Sequence, residues 1–580
     1  MSHMPTSDQP DRPGFDAFDF ETNGVPLAGN PFTTLNLTGT GFAVVDRGDG
    51  ELEIGAAVGS SLVSLPYIDL RLAPYSIVAN DSTKAAANRA GIDTAIAAFP
   101  GGARLVLPAG SIYFDWNTNP ANRSAINFSG RSKFWLQGQG QFVTTIIIEG
   151  DQGASDRYGI LVANGASKIR LSDFSIQHGT VLNQEEHNHL MMLGRPGQTV
   201  ATSDIVVENV HFGQCVGDQI NLQGEGNAYT SGVRISGVIM HAAGIGVGAR
   251  SCVGFQRGIR NIELERFVMD GAKNSCIDFE PTGNASMENV AIHHGLVDHQ
   301  YSRSVVAISI GGNGLSLSTS LVRASLSHVR VLEGQVQVFD VTDFQSEQLA
   351  LYCNGNAASP MAASPQPQLY LYGLVEGASF VDLQIFRDTG AVLAGELVQA
   401  IHHDGHGNPK RLSIEGGIFR TKYNATPLRF ENADGVQLAN VKVLCEGADP
   451  SGSSIVTFRA ANNSISRLHI NGLQAQVTGA KFGNGVLVAA TDVGLTATQV
   501  HISNMQVPNA VTSGVLFSES GGGTVERNPE IQGCDFTGAT TALNILSAQQ
   551  VILAGNRGGR CWFVGTGSPE GVVKIGRAHV

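Results

Sequence analysis

Short apolar-x-apolar triplets recur along most of the chain. The first inward residue of each can be set at Ile160, Leu190, Ile220, Ile245, Ile277, Ile308, Val338, Leu369, Val398, Leu428, Val456, Leu487, Leu516 and Leu543, at intervals close to 30 residues. A second apolar run precedes many of them, as in residues 205–212, 233–240, 262–269 and 290–297, and again in 412–419, 436–444, 468–474 and 500–507. Side chains alternate faces along a strand, so these runs send every second residue to one side. A period near 30 residues is too short for propeller blades, and the runs lack helical periodicity. It suits coils of two or three short strands, each pairing with the next around a continuous core. The pattern predicts an all-β chain, a right-handed parallel β-helix over residues 126–565.

Residues 76–125 read differently. Ser82 or Thr83 can cap a helix near 83–98, where Ile92, Ile96 and Phe99 form one apolar stripe. Pro100-Gly101-Gly102 ends it, and a strand follows from Arg104. This segment is expected to be a capping helix with the first coil. Residues 1–75 read as an adaptor or linker with short strands, among them a strand–turn–strand unit around 34–50. Residues 566–580 read as a tail. Met1-Ser2-His3-Met4 resembles a tag or cloning remnant, and Ile575-Gly576-Arg577-Ala578-His579-Val580 resembles one reading frame of a sequencing adapter.

Composition narrows the function classes. With 42% apolar residues, 15% charged residues and 71 glycines, the chain is too apolar for disorder and rich in turn formers. A net charge of −13 argues against a nucleic-acid partner. No apolar run is long enough to span a membrane, and the N-terminus lacks a secretory pattern. Seven scattered cysteines, none in C-x-x-C, predict buried thiols rather than a disulfide framework or a zinc site.

The stretch from Asn80-Asp81-Ser82-Thr83 through Ile92-Asp93-Thr94-Ala95 to Leu105-Val106-Leu107-Pro108-Ala109-Gly110 resembles the opening of the pectate-lyase-like β-helix superfamily. With the repeats, the resemblance covers about residues 75 to 565. It implies a helix plugging the first coil, and work on carbohydrate. The paired aspartates of the polygalacturonase branch are not intact, since Gly217-Asp218-Gln219 carries one. The adaptor followed by a long β-helix also resembles a bacteriophage tailspike. That likeness implies a homotrimer acting on polysaccharide, in a virion or outside the cell.

Glycoside cleavage needs two carboxyl groups about the bond. In Cys276-Ile277-Asp278-Phe279-Glu280, inward Ile277 and Phe279 would leave Asp278 and Glu280 on one outer face. Gly246 and Gly248 on the preceding coil, and Ser309 and Gly311 on the next, would leave room for a sugar. Asn221 and Gln223 offer amides one coil further back. Asp218, a third catalytic candidate, and Glu225, Arg250 and Arg257 fall in flanking turns, and His293 on a neighbouring strand. His402-His403-Asp404-Gly405-His406 fits no standard metal spacing and reads as a polar loop. Arg429 and Glu431 read as a same-face ion pair.

The expected activity is polysaccharide depolymerisation by carboxylate-mediated hydrolysis, without cofactor or metal. Lyase cleavage of a uronic polymer is the nearest alternative. There Arg250, Arg257 or His293 would act, or a Ca2+ ion would neutralise the uronate. A non-catalytic carbohydrate-binding adhesin is the alternative from another class.

Overall fold

The computed structural model describes residues 21–22, 25–26, 42–46, 52–56, 65–116, 123–149, 156–179, 187–241, 250–280, 286–300, 302, 304–311, 321–354, 360–363, 366–388, 396–401, 407–422, 426–446, 453–478, 482–507, 511–519, 524–525, 529–537, 539–545, 551–558, 560–563 and 575–576. The chain divides into two compact units, Met1–Ser64 and Leu65–Val580. In the first, Glu21–Thr22 pairs antiparallel with Val25–Pro26, and Phe42–Asp46 with Leu52–Ala56.

The second unit is a parallel β-solenoid. Successive coils place one strand each in a 16-stranded sheet and the rest in a 27-stranded sheet. All pairings within the solenoid sheets that bear on the site are parallel and one coil apart. The stacking starts early, because Tyr67–Asp69 pairs parallel with Arg104–Val106. Helix Ala85–Ala98 buries Ile92 and Ile96 against the first coils. Its cap differs from expectation. Asp81 accepts from the Thr83 amide and caps a short 3-10 turn, Ser82–Lys84, which leads into the helix. Ser82 and Thr83 therefore lie inside the turn.

The inward ladder of the 16-stranded sheet runs Met191, Ile220, Val253, Ile277, Ile308, Val336, Leu369, Val398, Leu428. All are fully buried. Five frame assignments need correction. Val338 faces the core but lies two residues past Val336, the register partner of Ile308. Ile245 lies outside the described residues, and the rung between Ile220 and Ile277 is Val253–Gln256. Leu190 is one residue ahead of the true partner, Met191. Leu487 and Leu516 face outward and are half-buried, while Val486 and Val515 point into the core. The cause is a run of apolar residues at consecutive positions, Val486-Leu487-Val488 and Val515-Leu516-Phe517. Such runs do not fix the register, and a slip of one residue exchanges the two faces.

In the other sheet many strands turn corners without a loop. A pair of left-handed residues five apart marks the corners, from Lys168 and Asp173 through Asp204 and Asn209, Asn261 and Arg266, Asn289 and His294, to Gln499 and Asn504. Equivalent residues stack in register from coil to coil. Asn and Asp tolerate this conformation best among non-glycine residues. Where Gly237 follows Asn209 in the stack, φ is +63°, and a Cβ would sit 2.7 Å from Asn209 Oδ1. The side chain of one corner thus fills the place a Cβ would take in the next.

The six described cysteines, Cys215, Cys252, Cys276, Cys353, Cys445 and Cys534, are buried free thiols. Among the described residues, no helix is long and apolar enough to cross a membrane.

Candidate active site

The outward positions of the 16-stranded sheet carry the candidate chemistry. Asn221, Gly254, Asp278 and Ser309 are register neighbours on four successive coils. Gln256 stands beside Glu280. The expected neighbours Gly246 and Gly248 fall at 242–249, outside the described residues, and Gly254 and Gln256 hold the positions assigned to them.

Gly254 is required by close approach. A Cβ there would lie 2.6 Å from Asp218 Oδ2 and 3.1 Å from Asn221 Nδ2. The Asp218 carboxylate, from the turn before Ile220, occupies that space on the rung next to Asp278. Asp218 is fully buried and fully engaged. Arg250 Nε and Nη2 donate to its two oxygens, each at 3.0 Å, and Asn221 Nδ2 donates at 2.7 Å. Burial alone would raise the Asp218 carboxyl. The charge of Arg250 and the donated hydrogen bonds outweigh it and hold the group below its usual range.

Arg250 also reaches forward. Its Nη1 donates to Glu280 Oε2 at 2.7 Å, so one guanidinium spans two carboxylates, one 32 residues before it and one 30 residues after it. Burial would lower its basicity, but Asp218 and Glu280 more than compensate, and it stays cationic.

Asp278 points out of the core, as the alternation requires, but it is not solvated. It is 7% exposed. Ser251 Oγ donates to Oδ2 at 3.3 Å. Burial first, then the charges of Glu280 and Asp218, push its carboxyl up to about 7. Glu280 is more open, with 36% of its side chain exposed. The site therefore holds a buried carboxyl that keeps its proton near neutrality, an accessible carboxyl group beside it, and Asp218, held below the usual carboxylate range, behind.

His189 joins the cluster without having been singled out in the sequence. The Asp218 amide donates to His189 Nδ1 at 3.0 Å, so that nitrogen is an acceptor and the ring is neutral. Burial lowers its pKa to about 4. Its 3.5 Å approach to Asp218 Oδ2 is then a packing contact, not an ion pair. No motif flags His189. Only the pairing of Met192 with Asn221 places this strand beside the cluster.

The other candidates lie apart. Gln223 is buried at the end of its strand, where its carbonyl accepts from Thr230 Oγ1 at 2.7 Å. Glu225 and Arg257 pair with each other at 2.5 Å in the turns after the strands, whereas Asp218 and Arg250 precede them. His293 belongs to the other sheet, on Met287–Asp298, and contacts Glu263 Oε1 at 3.0 Å. Asp278 belongs to the 16-stranded sheet, so the two residues lie on different sheets. Residues 402–406 lie outside the described residues. Arg429 and Glu431 pair at 2.6 Å, with Glu396 at 3.1 Å on the same guanidinium.

One grouping among the described residues has ligand atoms close enough for a cation: Glu263, Glu265 and His293. Arg234 already lies 2.5 Å from Glu265 and 3.5 Å from Glu263, which supplies the positive charge there.

No family model matches the sequence, and no curated protein matches it. Solved structures match in architecture. The A-module of Azotobacter vinelandii mannuronan C-5 epimerase AlgE6 aligns over 84% of this chain and 98% of its own, at 13% identity and a TM-score of 0.33. The catalytic domain of a GH87 alpha-1,3-glucanase, in complex with nigerose, aligns over 88% and 68%, at 11% identity and 0.31. The tailspike protein of E. coli bacteriophage HK620, in complex with a pentasaccharide, aligns over 84% and 79%, at 11% identity and 0.48. These are likenesses of stacked coils, and the activities in those names belong to those proteins.

Proposed function

We propose that this chain is a polysaccharide depolymerase that hydrolyses glycosidic bonds at Asp278 and Glu280. The observation that carries the reading is the contrast between the two carboxyls. Burial and two neighbouring negative charges keep Asp278 protonated up to about pH 7. Glu280, on the same face, is open to water and held by Arg250. A general acid must hold its proton at working pH, and its partner must not.

In the proposed reaction Asp278 gives its proton to the glycosidic oxygen as the bond to the anomeric carbon breaks. The oxygen of a water forms the new bond to that carbon, and the water's proton passes to Glu280. If the reaction retains configuration, a Glu280 oxygen bonds to the anomeric carbon first and water then displaces it. Solvent exchange returns the proton to Asp278. Asp218 touches no reacting atom in this scheme. It raises the pKa of Asp278 and anchors Arg250.

Lyase chemistry has less support. A cation would have to neutralise a uronate, but Arg250 is committed to Asp218 and Glu280, Arg257 to Glu225, and His293 to the other sheet. The setting we propose is a homotrimeric tailspike of a virion, or an extracellular enzyme. The test is reducing-end release from purified bacterial surface polysaccharides, with wild type and Glu280→Gln compared. Hydrolysis predicts new reducing ends from wild type, few from the variant, and no unsaturated product absorbing in the ultraviolet. Products that do absorb would move the chemistry to elimination. Binding without new ends would make the chain an adhesin.

A further inference from the structure

The outer face of the same sheet changes character past the carboxylates. The column headed by Asp278 continues in register through Ser309, Gln337 and Tyr370 to Gln399. Two residues along each strand, a second column passes from Gly311 through Phe339 to Tyr372, with Glu280 in the corresponding place one coil earlier. The rings of Phe339 and Tyr372 stack at 5.0 Å and 10°, and those of Tyr370 and Tyr372 at 4.8 Å. All three side chains are half-buried, so part of each ring remains open.

Gly311 lets this cluster reach back toward the carboxylates. A Cβ on Gly311 would lie 2.6 Å from Phe339 Cδ1, so the aromatic ring rests on the glycine backbone. On the other side of Asp278, among the described residues, the same face offers no such open aromatic surface. There Met192, Leu161 and Tyr158 are buried in a small cluster of their own. The two columns also carry no charge between Ser309 and Gln399. Burial raises both phenols, Tyr372 to about 12, so they stay neutral too.

We propose that Phe339, Tyr370 and Tyr372 form a stacking platform for neutral pyranose residues, on one side of the bond to be cleaved. The C–H faces of a sugar ring pack against aromatic rings, while flanking amides such as Gln337 and Gln399 meet its hydroxyls. A uronate would find no cation in these columns, so the segment read here is uncharged. Two to three strand spacings of about 4.8 Å separate the platform from Asp278 and Glu280 along the axis. A substrate must therefore extend over several sugars to touch both, which favours internal cleavage of long chains. This inference rests on the proposed polysaccharide reading.

The test uses the full chain against an immobilised panel of purified bacterial surface polysaccharides, neutral and uronate-containing. Wild type and Glu280→Gln should bind the same neutral polymer. The pair Tyr370→Ala with Tyr372→Ala should weaken that binding about tenfold or more, and Tyr370→Phe with Tyr372→Phe should stay within about twofold, the scale expected for losing or keeping aromatic anchors. Should the alanine pair fold poorly, Tyr370→Leu with Tyr372→Leu keeps apolar bulk without the rings and should still lose binding. Full binding by a folded alanine or leucine pair would overturn the platform alone. Selective binding of a uronate polymer would overturn its neutrality. A wild type that binds no polysaccharide at all would overturn the functional reading and the platform with it.

Discussion

The two sheets of the solenoid share one core and differ in almost everything outside it. In the 27-stranded sheet, left-handed residues five apart turn the chain at fixed positions, and the outer surface is laced with pairs such as Arg234–Glu265, Arg170–Glu208 and His293–Glu263. In the 16-stranded sheet, the strands around the site are short, three to six residues each. There the turns deliver Asp218 and Arg250 over a strand from the side. The lesson is that charge on this molecule has two meanings. On one sheet partly exposed pairs line a surface, where a solvated pair is worth roughly 0–1 kcal/mol. On the other, burial turns a carboxylate into an acid.

The strongest test of the shared core is Ile277→Asp. It puts an unpaired charge into the ladder and should cost several kcal/mol, enough to abolish a cooperative melting transition in calorimetry. A wild-type melting curve would mean that Ile277 does not face inward.

The next test separates the sheets by chemistry. Glu280→Gln should lower the cleavage rate by about 10²–10⁴, the usual contribution of an acid–base group. Glu263→Gln, on the other sheet, should leave that rate within about twofold and shift stability by no more than about 1 kcal/mol. Equal losses in reducing-end release would erase the distinction.

A third, intermediate effect concerns pH. The Asp278 carboxyl is raised from 3.8 to about 7 on folding. The folded state therefore binds a proton that the unfolded state has released, and wild-type stability falls as pH rises from about 4 to about 7. Asp278→Asn removes that loss. Its melting temperature should match wild type near pH 3.5 and exceed it at pH 8, by a gain of the order of a few kcal/mol. Activity of wild type should decline as pH rises through about 7, when the acid is lost. A variant less stable than wild type at pH 8 would contradict the protonated assignment.

The smallest effect lies at the corners. Asn289 sits at φ +54° and donates to Asn261 on the coil before. Asn289→Ala should cost about 1–2 kcal/mol, read by denaturant titration, through left-handed strain and the lost amide bond. A neutral substitution would mean the corner relaxes freely.

Much of the fold was legible because alternation and a near-constant period leave few alternatives. Ile220, Ile277, Ile308 and Leu369 are ladder residues as the triplets require. The frame failed where local pattern was ambiguous. Ala243-Gly244-Ile245-Gly246-Val247 imitates a triplet, so the true rung at Val253 was passed over. Leu487 and Leu516 lie in unbroken apolar runs. The pairing of Asp278 with Glu280 on one face could be read from two-residue spacing alone. The burial of Asp278 could not, since it depends on Arg250 and Asp218 arriving from turns. His189 carried no signal, because its place is fixed by a register thirty residues long. His293 was read on the leading strand of the next repeat and lies there, on Met287–Asp298, in the other sheet from Asp278.

The corner ladder has a consequence for modularity. Arg411 and Gly435 are equivalent left-handed positions on successive coils, as the pairing of Leu412 with Val436 shows. Excising residues 412–435 would join Arg411 directly to Val436 at matching backbone conformation and matching strand phase. The molecule would then be one rung shorter, by about 4.8 Å, with every remaining ladder still aligned. Read this way, the solenoid is built from interchangeable units whose cut points are written in its backbone dihedrals.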